Sequence, residues 1–259
     1  MTEQPVDLRR ALEVARVAAQ RAADIALGYF EEPLQIETKD DASPVTIADR
    51  ECEQAIRAEI KAAFPEHAIF GEEYGRSGDH HCLWLIDPID GTRSFIRGLE
   101  FWSVQIALMV DGDLVLGVSA APSFDETAWA VRDGGAWLDD RRLSVADTES
   151  FESMDISFGN VRSLARSAKW PRVGALVERA ARSRGYGDFY PYHRLAAGCL
   201  DSVIESDVNI LDIAALTVIV REAGGVVSAL DGEPIGLDTT TIVAATPALH
   251  PRLVSFFND

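Results

Sequence analysis

Cysteine is scarce in this 259-residue chain: Cys52, Cys82 and Cys199 are odd in number and far apart. With no C-x-x-C pair, a zinc knuckle, a dithiol redox motif and a disulfide framework are excluded; the thiols read as reduced and partly buried in a cytoplasm. No apolar run is long enough to span a membrane. The opening MTEQPVDLRRALEVARVAAQ breaks its apolar residues with charges and lacks a signal-peptide core. Basic residues are also few, 24 Lys+Arg against 42 Asp+Glu, a net charge of −18. Such a field repels nucleic acid and anionic membranes. It repels a phosphorylated metabolite too, so a phosphate-handling site here needs a local inversion of charge, which bound cations supply. Low-complexity stretches and internal repeats are absent. Hydrophobic residues make up 47% of the chain, enough for a full core in one large domain or two packed subdomains.

Apolar residues recur at helical spacing over 7–30, from Leu8 to Ala26. Thr46-Ile47-Ala48-Asp49 has capping-box spacing and predicts a second helix with Ile47, Ala48, Cys52, Ile56 and Ile60 as its buried stripe, ended by Pro65. Residues 82–86 read as a short buried strand; further strands are predicted at 103–110, 114–120 and 127–131, with a hairpin turn at Asp111-Gly112-Asp113. In the second half a strand at 153–158, helices at 173–181 and 191–198, a helix at 211–223 that is apolar nearly all round and stopped by Gly224-Gly225, and a strand at 242–245 are predicted. Helices and strands cluster rather than alternate, which indicates layered α+β.

The most informative stretch is Trp84-Leu85-Ile86-Asp87-Pro88-Ile89-Asp90-Gly91-Thr92. Carboxylates just past a strand end can converge on one point. Pro88 removes an N–H, Gly91 lets the backbone approach a ligand, and Thr92 is expected in the first turn of a helix, whose free N–H groups suit phosphate. Asp87, Asp90 and the Ile89 carbonyl fit a hard cation such as Mg²⁺. In isolation D-x-x-D would be a turn with Asp90 as a helix N-cap; the strand, proline and glycine-threonine context favours the metal. Glu72-Glu73 reads as a solvated surface unless the next acidic cluster draws it in. Asp212 opens the apolar helix and reads either as a favourable dipole partner or as a metal ligand.

These residues resemble the inositol monophosphatase superfamily of Mg²⁺-dependent, lithium-sensitive phosphatases. The carrying motifs are Pro44-Val45-Thr46 with Asp49, Gly71-Glu72-Glu73, Asp87-Pro88-Ile89-Asp90-Gly91-Thr92, and Asp212-Ile213-Ala214-Ala215 leading to Glu222-Ala223-Gly224-Gly225. The resemblance implies a five-layered αβαβα fold and a homodimer. It assigns Glu72, Asp87 and the Ile89 carbonyl to one Mg²⁺, Asp87, Asp90 and Asp212 to a second, and Glu72 with waters to a weaker third. Gly91 and Thr92 would hold the phosphate, Asp49 and Thr92 would pair near the nucleophilic water, and Lys39 matches a basic position near the site. Residues 1–147 would carry most metal motifs, and 148–259 the substrate segment and last metal ligand. Leu211 stands where the family has tryptophan, which suggests a reshaped pocket wall.

Within the superfamily the second half resembles the histidinol-phosphate phosphatase branch, through Tyr186-Gly187-Asp188-Phe189, Tyr192 and Leu195-Ala196-Ala197-Gly198. Inositol-type enzymes carry small residues where Asp188 sits, and Glu205 matches a substrate-contacting acid. An acid beside the phosphate site can pair with a substrate ammonium, which an inositol ring lacks; Asp188 also fits a plain turn after Gly187. The implied activity is hydrolysis of L-histidinol phosphate in histidine biosynthesis, with inositol 1-phosphate or another sugar phosphate as the alternative and a non-enzymatic ligand-binding homologue as a rival class.

Overall fold

The first helix runs Leu8–Phe30, and its buried stripe is entirely alanine: Ala11, Ala15, Ala18, Ala19, Ala22, Ala23 and Ala26. Side chains this small bring it close to the second helix, Ile47–Ala63, and to the sheet beneath. Thr46 caps the second helix in a full capping box with Asp49, as the spacing predicts. Ile47 departs from expectation: it is 49% exposed. The buried arc comprises Ala48, Cys52, Ile56 and Ile60 together with Asp49 and Glu53, and Ile47 lies off its other edge. The structure, a computed structural model, describes residues 6–30, 36–38 and 44–259.

Under these helices lies an eight-stranded sheet, ordered Arg141–Arg142, Gly135–Leu138, Glu126–Val131, Asp113–Ala121, Ser103–Val110, Cys82–Asp90, Ala68–Gly71 and Gly75–Ser77. Its pairs are antiparallel except Ala68–Gly71 with Cys82–Asp90. Trp84, Ile86, Val104, Ile106 and Val118 face the two helices, while Leu83, Leu85, Ala107 and Met109 face the other way. That second face is covered by helices Phe189–Ala196 and Ile210–Glu222. The latter is buried nearly all round from Ile213 to Val220, as its mostly apolar sequence predicts, because a second sheet closes over it.

The second sheet is ordered Arg182–Arg184, Asp155–Phe158, Ser202–Ser206, Thr241–Ala245 and Val226–Ser228. Helices Trp170–Arg179 and Leu249–Asn258 cover its outer face through Val173, Leu176, Leu249 and Leu253. The result is the five-layered αβαβα arrangement. No helix among the described residues is long and apolar enough to cross a membrane.

Gly117 sets the spacing between the first sheet and the helix Ile210–Glu222. A Cβ there would stand 2.4 Å from the Ala215 carbonyl oxygen and 2.8 Å from its Cα, both backbone atoms that cannot rotate away. Gly117→Val is therefore expected to cost about 3 kcal/mol in urea-induced unfolding, the upper end of ordinary overpacking. A stability within about 0.5 kcal/mol of the parent would show that the layers part freely.

Candidate active site

The strand predicted to end at Ile86 continues to Asp90, so both aspartates lie inside it rather than beyond it. Residues three apart in a regular strand point to opposite faces. Here Asp87 pairs with Gln105 and Asp90 with Ser103, so the strand holds one residue more than its partner between these pairs. Such a bulge reverses the alternation and turns both carboxylates to the same side; Pro88, with no N–H to give the ladder, sits within it. Gly91 follows with φ +84°, and a Cβ there would meet the Phe101 carbonyl oxygen at 2.7 Å. It opens the short helix Thr92–Phe95. The Gly91 and Thr92 amides donate to no carbonyl among the described residues.

Three other segments deliver acids to this point. The parallel pairing of Gly71 with Ile86 carries one residue further, Glu72 N–H donating to the Ile86 carbonyl (3.2 Å), and so sets Glu72 beside Asp87. Asp212 is held by a second capping box, its carboxylate accepting the Asn209 backbone N–H (2.9 Å) and side-chain amide (2.7 Å). Asp49 accepts from the Thr46 backbone (2.7 Å) and hydroxyl (2.6 Å) through Oδ2, leaving Oδ1 facing the Thr92 hydroxyl at 3.5 Å. That hydroxyl lies 3.0 Å from the Ile89 carbonyl oxygen.

Asp87, Asp90 and Asp212 each bring a carboxylate oxygen within 4.8 Å of the other two. They line a cleft of about 770 Å³ with Glu72, Ile89, Gly91, Thr92 and Asp188. Burial, then Glu72, Asp90 and Asp212, push Asp87 well above the usual carboxylate range. Burial, then Asp188, Asp212 and Glu205, do the same to Asp90. Asp212 is pushed up to about 7 and Asp188 to about 6, burial being the first cause in each. Among the described residues no salt bridge reaches Asp87, Asp90 or Asp212. Acids gathered so closely and shielded from water, with no counter-charge on them among the described residues, fit an oxygen-ligated divalent cation.

Asp188 begins the helix Phe189–Ala196 at φ +55°, its Cγ 3.5 Å from where a Gly91 Cβ would be. Glu205 stands behind it. This carboxyl is 3% exposed, accepts the Tyr192 hydroxyl proton at 2.6 Å, and is pushed up to about 8 by burial. It lines a recess of about 30 Å³ beside Asp90, Asp188 and Asp212. Leu211 is buried in the core between the sheets and is not among the residues that line the cleft. Lys39 lies outside the described residues.

Two sets of residues escaped the sequence reading. Glu53, fully buried, accepts the N–H groups of Glu73 (2.6 Å) and Tyr74 (3.3 Å) and pairs with Arg57 (2.7 Å), holding the turn that carries Glu72. Its only sequence signal, an i,i+4 Glu–Arg pair, is shared by ordinary surface helices. Arg93, Arg162 and Arg166 line the mouth of the cleft and form no salt bridge among the described residues. His67, His80 and Cys82 form another close group, yet the Nδ1 atoms of His67 and His80 accept the Trp84 indole and Cys82 backbone protons. Each neutral ring then carries its own proton on Nε2, which leaves no lone pair for a metal.

The Inositol monophosphatase family model matches residues 7–259. A histidinol-phosphatase of Mycobacterium tuberculosis is 36% identical over 254 residues, 95% of this chain and 97% of that one. An inositol-1-monophosphatase of Synechocystis is 34% identical over 257 residues, 96% of this chain and 89% of that one. The crystal structure of an extragenic suppressor protein from Bartonella henselae superposes with a TM-score of 0.89 at 29% identity, covering 96% of this chain and 98% of that one. Matched from Asp7 to its last residue, the chain belongs to the inositol monophosphatase family.

Proposed function

We propose that this protein is a Mg²⁺-dependent phosphomonoesterase that hydrolyses L-histidinol phosphate to L-histidinol and phosphate. The observation that carries the reading is the convergence of buried Asp87 and Asp90 with part-buried Asp212, reached by no salt bridge among the described residues, beside the Gly91 and Thr92 amides, which donate to no carbonyl among them. These aspartates, with Glu72 and the Ile89 carbonyl, would hold two or three Mg²⁺. When bound, the ions withdraw charge from the phosphate and activate water for attack.

The remaining work falls to the chain. The Gly91 and Thr92 N–H groups receive phosphate oxygens at the opening of the Thr92–Phe95 turn. Asp49, clamped through Oδ2, presents Oδ1 toward the Thr92 hydroxyl, and this pair with Glu72 orients the attacking water and takes its proton. Asp188, adjacent to Gly91, meets the ammonium of the substrate, and Glu205 holds the Asp188 loop in place from behind. Lys39 is expected near the phosphate.

Identities of 36% and 34% to a histidinol-phosphatase and an inositol-1-monophosphatase do not separate the two substrates. The acid at position 188 supports the histidinol reading, because of these two substrates only histidinol phosphate brings a cation to it. Expectations of a cytoplasmic homodimer acting in histidine biosynthesis go with this reading. The test is a kcat/KM panel of histidinol phosphate, inositol 1-phosphate, fructose 1,6-bisphosphate and 3′-phosphoadenosine 5′-phosphate. Histidinol phosphate is expected to lead inositol 1-phosphate by at least about tenfold, or roughly 1.4 kcal/mol. Equal or reversed values would overturn the substrate assignment.

A further inference from the structure

A line of buried polar side chains runs from Asp90 across the sheet to the far side of the molecule. Strand pairing sets Ser103 opposite Asp90, and Gln105 opposite Asp87 on one side and Ser119 on the other. Ser103 Oγ is 3.3 Å from Asp90 Oδ2. Gln105 Nε2 is 2.8 Å from Ser103 Oγ and 3.0 Å from Ser119 Oγ. Ser119 Oγ is 2.8 Å from His193 Nε2, and His193 Nδ1 faces Glu126 Oε2 at 3.6 Å. Arg194 closes the line by pairing with Glu126. Ser103, Gln105, Ser119 and His193 are each at most 1% exposed, so no bulk water completes these bonds.

The proton directions follow from the ends. Asp90 holding a cation, and Glu126 paired with Arg194, are carboxylates and only accept. Ser103 then donates toward Asp90; His193 Nδ1, 3.6 Å from Glu126 and in no hydrogen bond among the described residues, carries its proton on the side of that carboxylate. The neutral His193 ring, consistent with burial pushing its pKa down, accepts at Nε2 from Ser119. Each serine that donates outward needs a donor behind it, so the centre must give two protons from one atom. The Gln105 NH₂ group does this. The flipped amide would set an acceptor between the serines and leave Asp90 facing a lone pair.

We propose that Gln105 is a positioning residue for Asp90: its two N–H donors fix the direction of this hydrogen-bond chain, so that the Ser103 hydroxyl is locked as a donor that orients the Asp90 carboxylate toward the metal. The inference rests on the metal reading above. Hydrogen-bond partners behind a metal ligand commonly change affinity by about 10–100-fold when removed.

The experiment is calorimetric titration of Mg²⁺ into metal-free protein. Gln105→Glu keeps the shape but puts acceptors where donors were, drawing the Ser103 hydroxyl away from Asp90. Its Kd for Mg²⁺, and that of Ser103→Ala, is expected to rise by about tenfold or more. Gln105→Met keeps the volume and leaves Ser103 free to donate to Asp90, so its Kd should stay within about threefold of the parent. Unchanged binding in Gln105→Glu, or an equal loss in Gln105→Met, would overturn the directional role. Should Gln105→Glu not fold, Ser103→Ala tests the proposal: Mg²⁺ affinity within about threefold of the parent there would overturn it, since the hydrogen-bond chain would then orient nothing at Asp90. Parent protein that takes up no Mg²⁺ would overturn the metal reading, and this inference with it.

Discussion

Asp90→Asn is expected to lower kcat by at least about a hundredfold, near 2.7 kcal/mol of transition-state stabilisation. Asp90 lies inside the bulged end of its strand, with a carboxylate oxygen within 4.8 Å of Asp87 and Asp212 oxygens. Asparagine keeps the shape and leaves an amide oxygen that still accepts from Ser103, but it removes the charge that would hold a cation. The fold should survive. Burial and neighbouring acids already penalise ionised Asp90, so one acid fewer relieves repulsion in the metal-free protein. The signature is therefore a pair of results: the metal-free melting temperature is kept or raised, and the rise that Mg²⁺ gives the parent protein is lost. Near-normal turnover in Asp90→Asn would remove Asp90 from the metal site.

Asp188→Asn is expected to reduce kcat/KM for histidinol phosphate by at least about tenfold while changing inositol 1-phosphate far less. A charge-assisted hydrogen bond to an ammonium is worth about 1.5–3 kcal/mol when partly desolvated. Asp188 is placed for it, within the cleft, against Gly91 and largely shielded from solvent. Asparagine has the size and branching of aspartate and meets the same backbone, φ +55° and ψ −151°, so the substitution tests charge more than backbone. Equal losses on both substrates would mean that Asp188 only shapes the loop, and the histidinol assignment would then rest on relatives alone.

Much of the site is legible in the sequence because its acids sit beside local signals. Asp49 and Asp212 are each the third helical residue of a capping box, a pattern confined to four consecutive positions. Asp87 and Asp90 follow an apolar run and precede Gly91-Thr92. How they converge is not legible. Whether residues three apart share a face depends on a bulge, and the bulge depends on how Ser103–Val110 pairs alongside. Glu72 is similar: its own neighbours read as surface, and only the parallel pairing of Ala68–Gly71 with Cys82–Asp90 draws it in. Glu53, Ser103, Gln105, Ser119 and His193 act through partners between 13 and 74 positions away, with no periodic trace. Of the fold, the long helices and the central hairpin strands were clear from periodicity. The strand Ser202–Ser206 was hidden by serines and a glutamate inside a fully buried segment.

The central claim is that this carboxylate nest works only when divalent cations neutralise it. The direct measurement is phosphate release from L-histidinol phosphate by protein stripped with EDTA and then titrated with Mg²⁺. The account predicts no turnover in the stripped protein and a saturable return of activity as Mg²⁺ is added, because the uncompensated acids of a chain with net charge −18 repel phosphate. Full activity in metal-free buffer would contradict it.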